Sequence, residues 1–146
     1  VLIEHAELCS LIPHAGTMCL LDGVSSWNED EISCRASSHR NPDNPLRCAD
    51  GLSSLQGIEY GAQAMAVHGG LLMRQQGKAM SEGYLAAVKS VVLHVDWLHD
   101  IEAPLLIQAT RLLAQGGQFM YEFSMLSEDR QLLEARAIVM PRPVQE

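Results

Sequence analysis

The sequence predicts an α+β fold in which one antiparallel sheet of five to six strands wraps a single long central helix. Three observations lead there. Between Leu52 and Met73 (LSSLQGIEYGAQAMAVHGGLLM) apolar residues recur at helical spacing, and Glu59 is the only formally charged side chain. After Gly83 the period changes to two over four long segments. Two shorter alternating segments precede the helix, and a sheet is the only thing this chain can make that would cover an apolar helix.

Each element has its own signal. In residues 1–12 (VLIEHAELCSLI), Leu2, Ile3, Leu8 and Leu11 suggest a short amphipathic helix that Pro13 ends, because the residue before a proline avoids helical backbone. Residues 17–27 (TMCLLDGVSSW) read as a strand, and in residues 31–37 Ile32, Cys34 and Ala36 alternate with polar neighbours. Asn28, Glu29 and Asp30 turn between the two. Residues 38–51 (SHRNPDNPLRCADG) are a loop by composition. Ser53 with Gln56 makes a capping box that starts the long helix, and Gly77 is a natural stop.

Along that helix the predicted core stripe is Leu55, Ile58, Ala62, Met65, Ala66, Gly69, Leu72 and Met73. Gly57, Gly61, Gly69 and Gly70 each weaken an isolated helix by up to about 1 kcal/mol. Tolerating them points either to close approach of backbone or ligand or to relief of crowding under a sheet. Four strands follow, over 84–98, 105–114, 118–126 and 131–140, expected as hairpins in succession.

Length and composition bound the function. A chain of 146 residues is one domain, and 47% hydrophobic against 19% charged content describes a well-packed protein. A net charge of -8 without a basic cluster argues against nucleic acid as a partner. The longest apolar stretch, residues 58–73, contains Glu59, Gln63, His68 and three glycines and makes a poor membrane span. No leader pattern opens the sequence, so a cytoplasmic location is expected. Cys9, Cys19, Cys34 and Cys48 form no CxxC pair, and reduced thiols without a metal are the expectation. Neither GxSxG nor GxxxxGK[ST] occurs, and no cofactor is indicated.

Glu59 is the most informative residue. A carboxylate moved into an apolar helix either finds hydrogen-bond partners or keeps its proton, and a retained proton suits a general acid. Gln63, one turn on, shares its face and can orient the carboxyl or contact substrate. His68, nine residues on, falls on the opposite face and reads as a core or interface histidine.

The segments LIPHAGTMCLLDGV, GIEYGAQA and GYLAAVKSVVLHV through ARAIVMPR resemble, in order and spacing, the beta-hydroxyacyl-acyl-carrier-protein dehydratases. Leu11, Pro13, His14 and Leu20, Leu21, Asp22 match that family's opening motif, and Glu59 with Gln63 matches its helix. With Ile58, Tyr60 and Ala62 included, the chain is most similar to a divergent branch associated with aryl-polyene biosynthesis. The resemblance implies the hotdog fold and dehydration of a thioester carried by acyl carrier protein or CoA. It also implies a homodimer or higher oligomer, or a heterodimer with a related subunit.

The sequence departs from the family at one place. Where the better-known members carry a Gly-His-Phe-Pro loop with the catalytic His, this chain has Pro45. Dehydration needs a base, an acid and a donor to the thioester oxygen. Glu59 is the candidate acid, and His14 or His39 the candidate base. Ser54 stands where the family offers a glycine N–H, and Gly57 is the neighbouring alternative at the helix start, where unpaired donors are expected. Tyr60 either lines a tunnel or packs. Two rival readings stay open: a hotdog thioesterase, in which the carboxylate activates water, and a non-catalytic subunit that binds acyl chains or completes a dimer. Under the dehydratase reading, docking of an acidic carrier protein would need a local basic patch, for which Arg35, Arg40, Arg47, Lys78, Lys89 and Arg111 are candidates.

Overall fold

The computed structural model describes residues 2–12, 18–77 and 83–141. In order the elements are β1 (Ile3–Glu4), α1 (His5–Ser10), β2 (Gly23–Trp27), β3 (Glu31–Ala36), α2 (Gly57–Gln75), β4 (Gly83–Leu93), β5 (Leu105–Gln115), β6 (Gln118–Ser127) and β7 (Arg130–Pro141). The strands form one antiparallel sheet in the order β1-β2-β3-β5-β6-β7-β4. It has seven strands where five to six were expected. The extra one is β1, two residues that pair Ile3 with Val24 and Glu4 with Gly23 and so shorten the predicted N-terminal helix to α1.

Two predicted strands lose an end to tertiary hydrogen bonding. Residues 18–22 are not in a ladder, because Gln63 and Ser38 side chains take the backbone groups of Met18 and Leu20. The strand start at Thr17 lies outside the described residues. β4 stops at Leu93 rather than Leu98, since the chain there crosses the start of the long helix. The Asp96 carbonyl accepts from Ser54 N–H at 2.9 Å, and Leu98 N–H donates to the Leu52 carbonyl at 2.8 Å. His99 Nδ1 accepts from Leu52 N–H at 3.0 Å, and its ring fills the space where a Cβ on Gly51 would stand. Gly51 has φ +119°, so glycine is required there twice over.

The crossing also changes the predicted hairpin succession. β5, β6 and β7 are consecutive hairpins, the first turning at Gly116 and Gly117 with φ +60° and +80°. β4, however, pairs with β7 and ends the sheet, while β5 docks beside β3.

Ser53 caps the helix start, its hydroxyl accepting from Leu55 N–H, and a 3-10 turn over Ser54–Gln56 leads into α2. Gly77, at φ +69°, stands just beyond the other end as expected. The face of α2 against the sheet is not the predicted one. Gly57, Tyr60, Gly61, Ala64, Val67, His68 and Leu71 are buried, whereas Ile58, Ala62, Ala66, Gly69 and Met73 are only half-buried and Leu55 is exposed. Of the predicted stripe, Met65 and Leu72 alone are buried. The glycines explain the rotation. A Cβ on Gly61 would lie 2.4 Å from the Phe123 ring and one on Gly57 2.5 Å from Leu133 Cδ2, so these positions let the sheet approach the helix backbone. Gly69, on the other side, has nothing within 4 Å.

Candidate functional site

Gln63 organises the site. It is 1% exposed, and its Oε1 accepts from Leu20 N–H at 2.9 Å. Its Nε2 donates to the Met18 carbonyl at 2.8 Å and to Glu59 Oε1 at 3.3 Å. One buried amide thus fastens residues 18–20 to α2 and holds the carboxylate one turn earlier. With its oxygen and both N–H groups engaged, Gln63 orients Glu59 rather than reaching outward. Glu59 itself is half-buried rather than sealed, because the sheet covers the other side of α2. It borders the half-covered stripe of Ile58, Ala62, Ala66, Gly69 and Met73.

Tyr60, next in sequence, is fully buried. Its hydroxyl lies 2.8 Å from Ser38 Oγ and accepts from Asn44 Nδ2 at 3.1 Å. Ser38 Oγ in turn donates to the Leu20 carbonyl at 2.7 Å, so the phenol donates to Ser38. Burial pushes the Tyr60 hydroxyl up from its ordinary value, and it stays a neutral strut. Ser38 and Asn44 were not singled out by sequence reasoning, since a serine and an asparagine in a polar loop look like any turn residues.

The helix start is occupied as well. Ser54 is buried and its N–H donates to the Asp96 carbonyl, while Gly57 N–H bonds back into the preceding 3-10 turn. Gly57 itself lies under Leu133.

The histidines separate sharply. His14 lies outside the described residues. His39 is fully buried in the 3-10 turn Ser38–Arg40 and donates from Nε2 to the Ile101 carbonyl at 2.9 Å, which leaves Nδ1 buried with no partner among the described residues. Burial lowers its pKa from the ordinary 6.5, against the opposing pull of the Ile101 and Ala103 carbonyls. His68 is a core residue, as its helical phase predicts. Its Nε2 donates to the Asn28 carbonyl at 2.8 Å and Nδ1 accepts from the Tyr121 hydroxyl at 2.7 Å. Burial lowers the His68 pKa and pushes the Tyr121 hydroxyl up to about 12. His94 is exposed; His99 is structural, as described above.

The cysteines correct the expectation of reduced thiols. Cys9 and Cys19 form a disulfide, while Cys34 and Cys48 are free. Burial pushes the Cys34 thiol up to about 12. No spacing rule could have paired Cys9 with Cys19, because their proximity arises from α1 folding back on the run before β2. His5 stands with them, the three ligand-type atoms lying within 4.8 Å of one another. A depression of about 290 Å³ at the β5–β6 turn, lined by Leu113, Phe119, Met120 and Ile138 among others, includes none of the sequence-predicted site residues. Among the described residues no helix is long and apolar enough to cross a membrane.

Known proteins share this fold. The sequence profile of the ApeP-like family, described as ApeP dehydratase, matches residues 6–146. Among solved structures, the dehydratase heterocomplex ApeI:P from Xenorhabdus doucetiae is similar at a TM-score of 0.84 and 24% identity, over 93% of this chain and 91% of that one. A hypothetical thioesterase with coenzyme A from Streptococcus pneumoniae is similar at 0.61 and 8% identity, over 94% and 93%. A thioesterase enzyme from Staphylococcus aureus is similar at 0.63 and 9%, over 82% and 92%. These likenesses establish the hotdog fold. No curated protein sequence matches the chain.

Proposed function

From the premise that this chain belongs to the ApeP-like dehydratase family, we propose that it eliminates water from a 3-hydroxyacyl thioester, carried by acyl carrier protein or CoA, to give the trans-2-enoyl thioester. A base removes the proton α to the thioester carbonyl, the electrons form the new double bond, and the β-hydroxyl leaves as water with a proton from an acid. Glu59 is that acid. The observation that carries this reading is its setting: a half-buried carboxyl, held by the fully engaged Gln63, bordering a half-covered apolar stripe along which an acyl chain can lie. His14 is the base of this reading, because His39 is fully buried, its Nδ1 included, and presents no nitrogen to a bound substrate.

Assembly is part of the proposal. The edge strand β4 leaves Leu85, Val91, Val92 and Leu93 exposed, which a second subunit would cover. The Xenorhabdus doucetiae relative is a heterocomplex, so a related subunit and a second copy of this chain are both candidate partners.

A second reading follows from the hydrogen bonds already made by the Ser54 N–H and His39. With both engaged in the fold, the chain would hold the acyl group or complete a partner's site without turning over alone. One assay separates the readings. The protein, alone and with a related subunit, is given a 3-hydroxyacyl carrier-protein thioester while enoyl product and free thiol are followed. Enoyl product that Glu59→Gln reduces about 100-fold or more supports the dehydratase. Free thiol marks a thioesterase, product only with the partner marks the subunit, and full activity in Glu59→Gln removes Glu59 from the chemistry.

A further inference from the structure

The Cys9–Cys19 bond joins two segments with different jobs. Cys9 is on α1, half-buried, while Cys19 is 5% exposed and lies between Met18 and Leu20, the two residues whose backbone Gln63 grips. Gln63 also donates to Glu59. A covalent and hydrogen-bonded chain therefore runs from Cys9 through Cys19, the Leu20 N–H and Gln63 to the Glu59 carboxyl.

His5 supplies the chemistry at the outer end. It is exposed and sits one helical turn before Cys9. Its Nδ1 donates to the Leu21 carbonyl at 2.7 Å, which leaves Nε2 as the basic nitrogen, 3.5 Å from Cys9 Sγ. An imidazole beside a cysteine favours its thiolate, the species that attacks disulfides. Burial, by contrast, makes the Cys34 thiol inert.

We propose that Cys9 and Cys19 form a thiol–disulfide exchange site, reacting with small-molecule thiols and disulfides, whose oxidation state sets how firmly Gln63 positions Glu59. In the oxidising direction the Cys9 thiolate attacks a small disulfide, forming a mixed disulfide and releasing one thiolate. The Cys19 thiolate then attacks Cys9 Sγ, forming the intramolecular bond and releasing the second. The two protein protons end on the two released thiols, and the two electrons have passed to the small disulfide. In reverse, an external thiolate attacks Cys9, the more accessible sulfur, and Cys19 departs. Breaking the bond frees residues 18–20 from α1, so the Leu20 N–H holds Gln63 less tightly.

The functional consequence rests on Glu59 being the catalytic acid, so the test reads structure and turnover separately. The full chain is equilibrated across ratios of reduced to oxidised glutathione. Alkylation with mass spectrometry follows the cysteines, amide hydrogen exchange follows Leu20, and enoyl formation follows activity. The expected result is a reversible two-thiol change confined to Cys9 and Cys19, with Leu20 exchanging about tenfold faster when reduced. Turnover should change in step. His5→Ala is expected to slow approach to equilibrium several-fold without changing either end state.

A disulfide that survives excess dithiothreitol in folded protein would overturn the proposal. So would unchanged Leu20 exchange, or reduced protein that holds zinc on His5, Cys9 and Cys19 instead of re-forming the bond. If Leu20 responds but neither state turns over substrate, the exchange site stands and the dehydratase reading falls.

Discussion

The two ends of the sheet are built on opposite terms. Beside β2 and β3 buried polar side chains fasten the structure: Gln63 grips Met18 and Leu20, Tyr60 is locked to Ser38 and Asn44, and His68 bridges Tyr121 to the Asn28 carbonyl. At the other end β4 is exposed at every described position from Leu85 to Leu93 except Val88, and the tips of β5 and β6 expose Leu112 and Leu113. Polar side chains specify the fastened end. The open end keeps apolar side chains that only another molecule can cover.

The contrast can be broken most forcefully at Gln63. Gln63→Leu keeps the volume but strands the Leu20 N–H and the Met18 carbonyl, each costing about 1–3 kcal/mol if left buried and unpaired. Urea unfolding should register that loss, and an unchanged midpoint would mean these bonds are not what fastens the end. Next come two glycines on one helix. Gly61→Ala pushes a methyl into the Phe123 ring and should destabilise by about 1–3 kcal/mol. Gly69→Ala enters open space and should stabilise by about 0.5–1 kcal/mol. Melting temperatures moving in the same direction for both would contradict the observed orientation of α2.

Acidification tests the same end more gently. His39 and His68 both have pKa values lowered by burial, so the unfolded chain takes up protons near 6.5 before the folded chain does. Their neutral burial is fully tolerated above that value, and stability should fall as pH drops from there toward the lowered folded values. Denaturant titrations at neutral pH and at about pH 5.5 would reveal it, and a flat response would mean the folded rings take up protons as readily as the unfolded chain does. Smallest of all is the effect at the open end. Val92→Lys, at an exposed position, should leave monomer stability within about 0.5 kcal/mol while weakening association in light scattering.

Much of the fastened core was legible in the sequence and much of its wiring was not. The helix limits followed from Ser53 and Gly77, and β5, β6 and β7 from their period-two alternation. The helix face was misread because counting apolar side chains favours Ile58, Ala62 and Ala66, whereas the sheet selects Gly57 and Gly61 for closeness and buries His68 and Gln63 through partners far away in sequence. The same reason hid the ends of two predicted strands. Residues 18–22 and 94–98 have strand-like patterns, but side chains of Gln63 and Ser38 and the backbone of Leu52 and Ser54 claim their hydrogen bonds. At the candidate site the contact between Glu59 and Gln63 was legible in their spacing. The Cys9–Cys19 pair was not, since a separation of ten residues says nothing about where α1 folds.

The strand order has a consequence for how the protein comes into being. β4 leaves the ribosome before β5, β6 and β7, yet among the described residues its one neighbour in the sheet is β7. Throughout their synthesis it waits as an unpaired apolar segment, and its ladder cannot begin until β7 has emerged. Such distant pairing slows folding and lengthens the interval in which that segment can associate wrongly. A nascent chain stalled short of β7 should therefore engage chaperones far more than one released a dozen residues later.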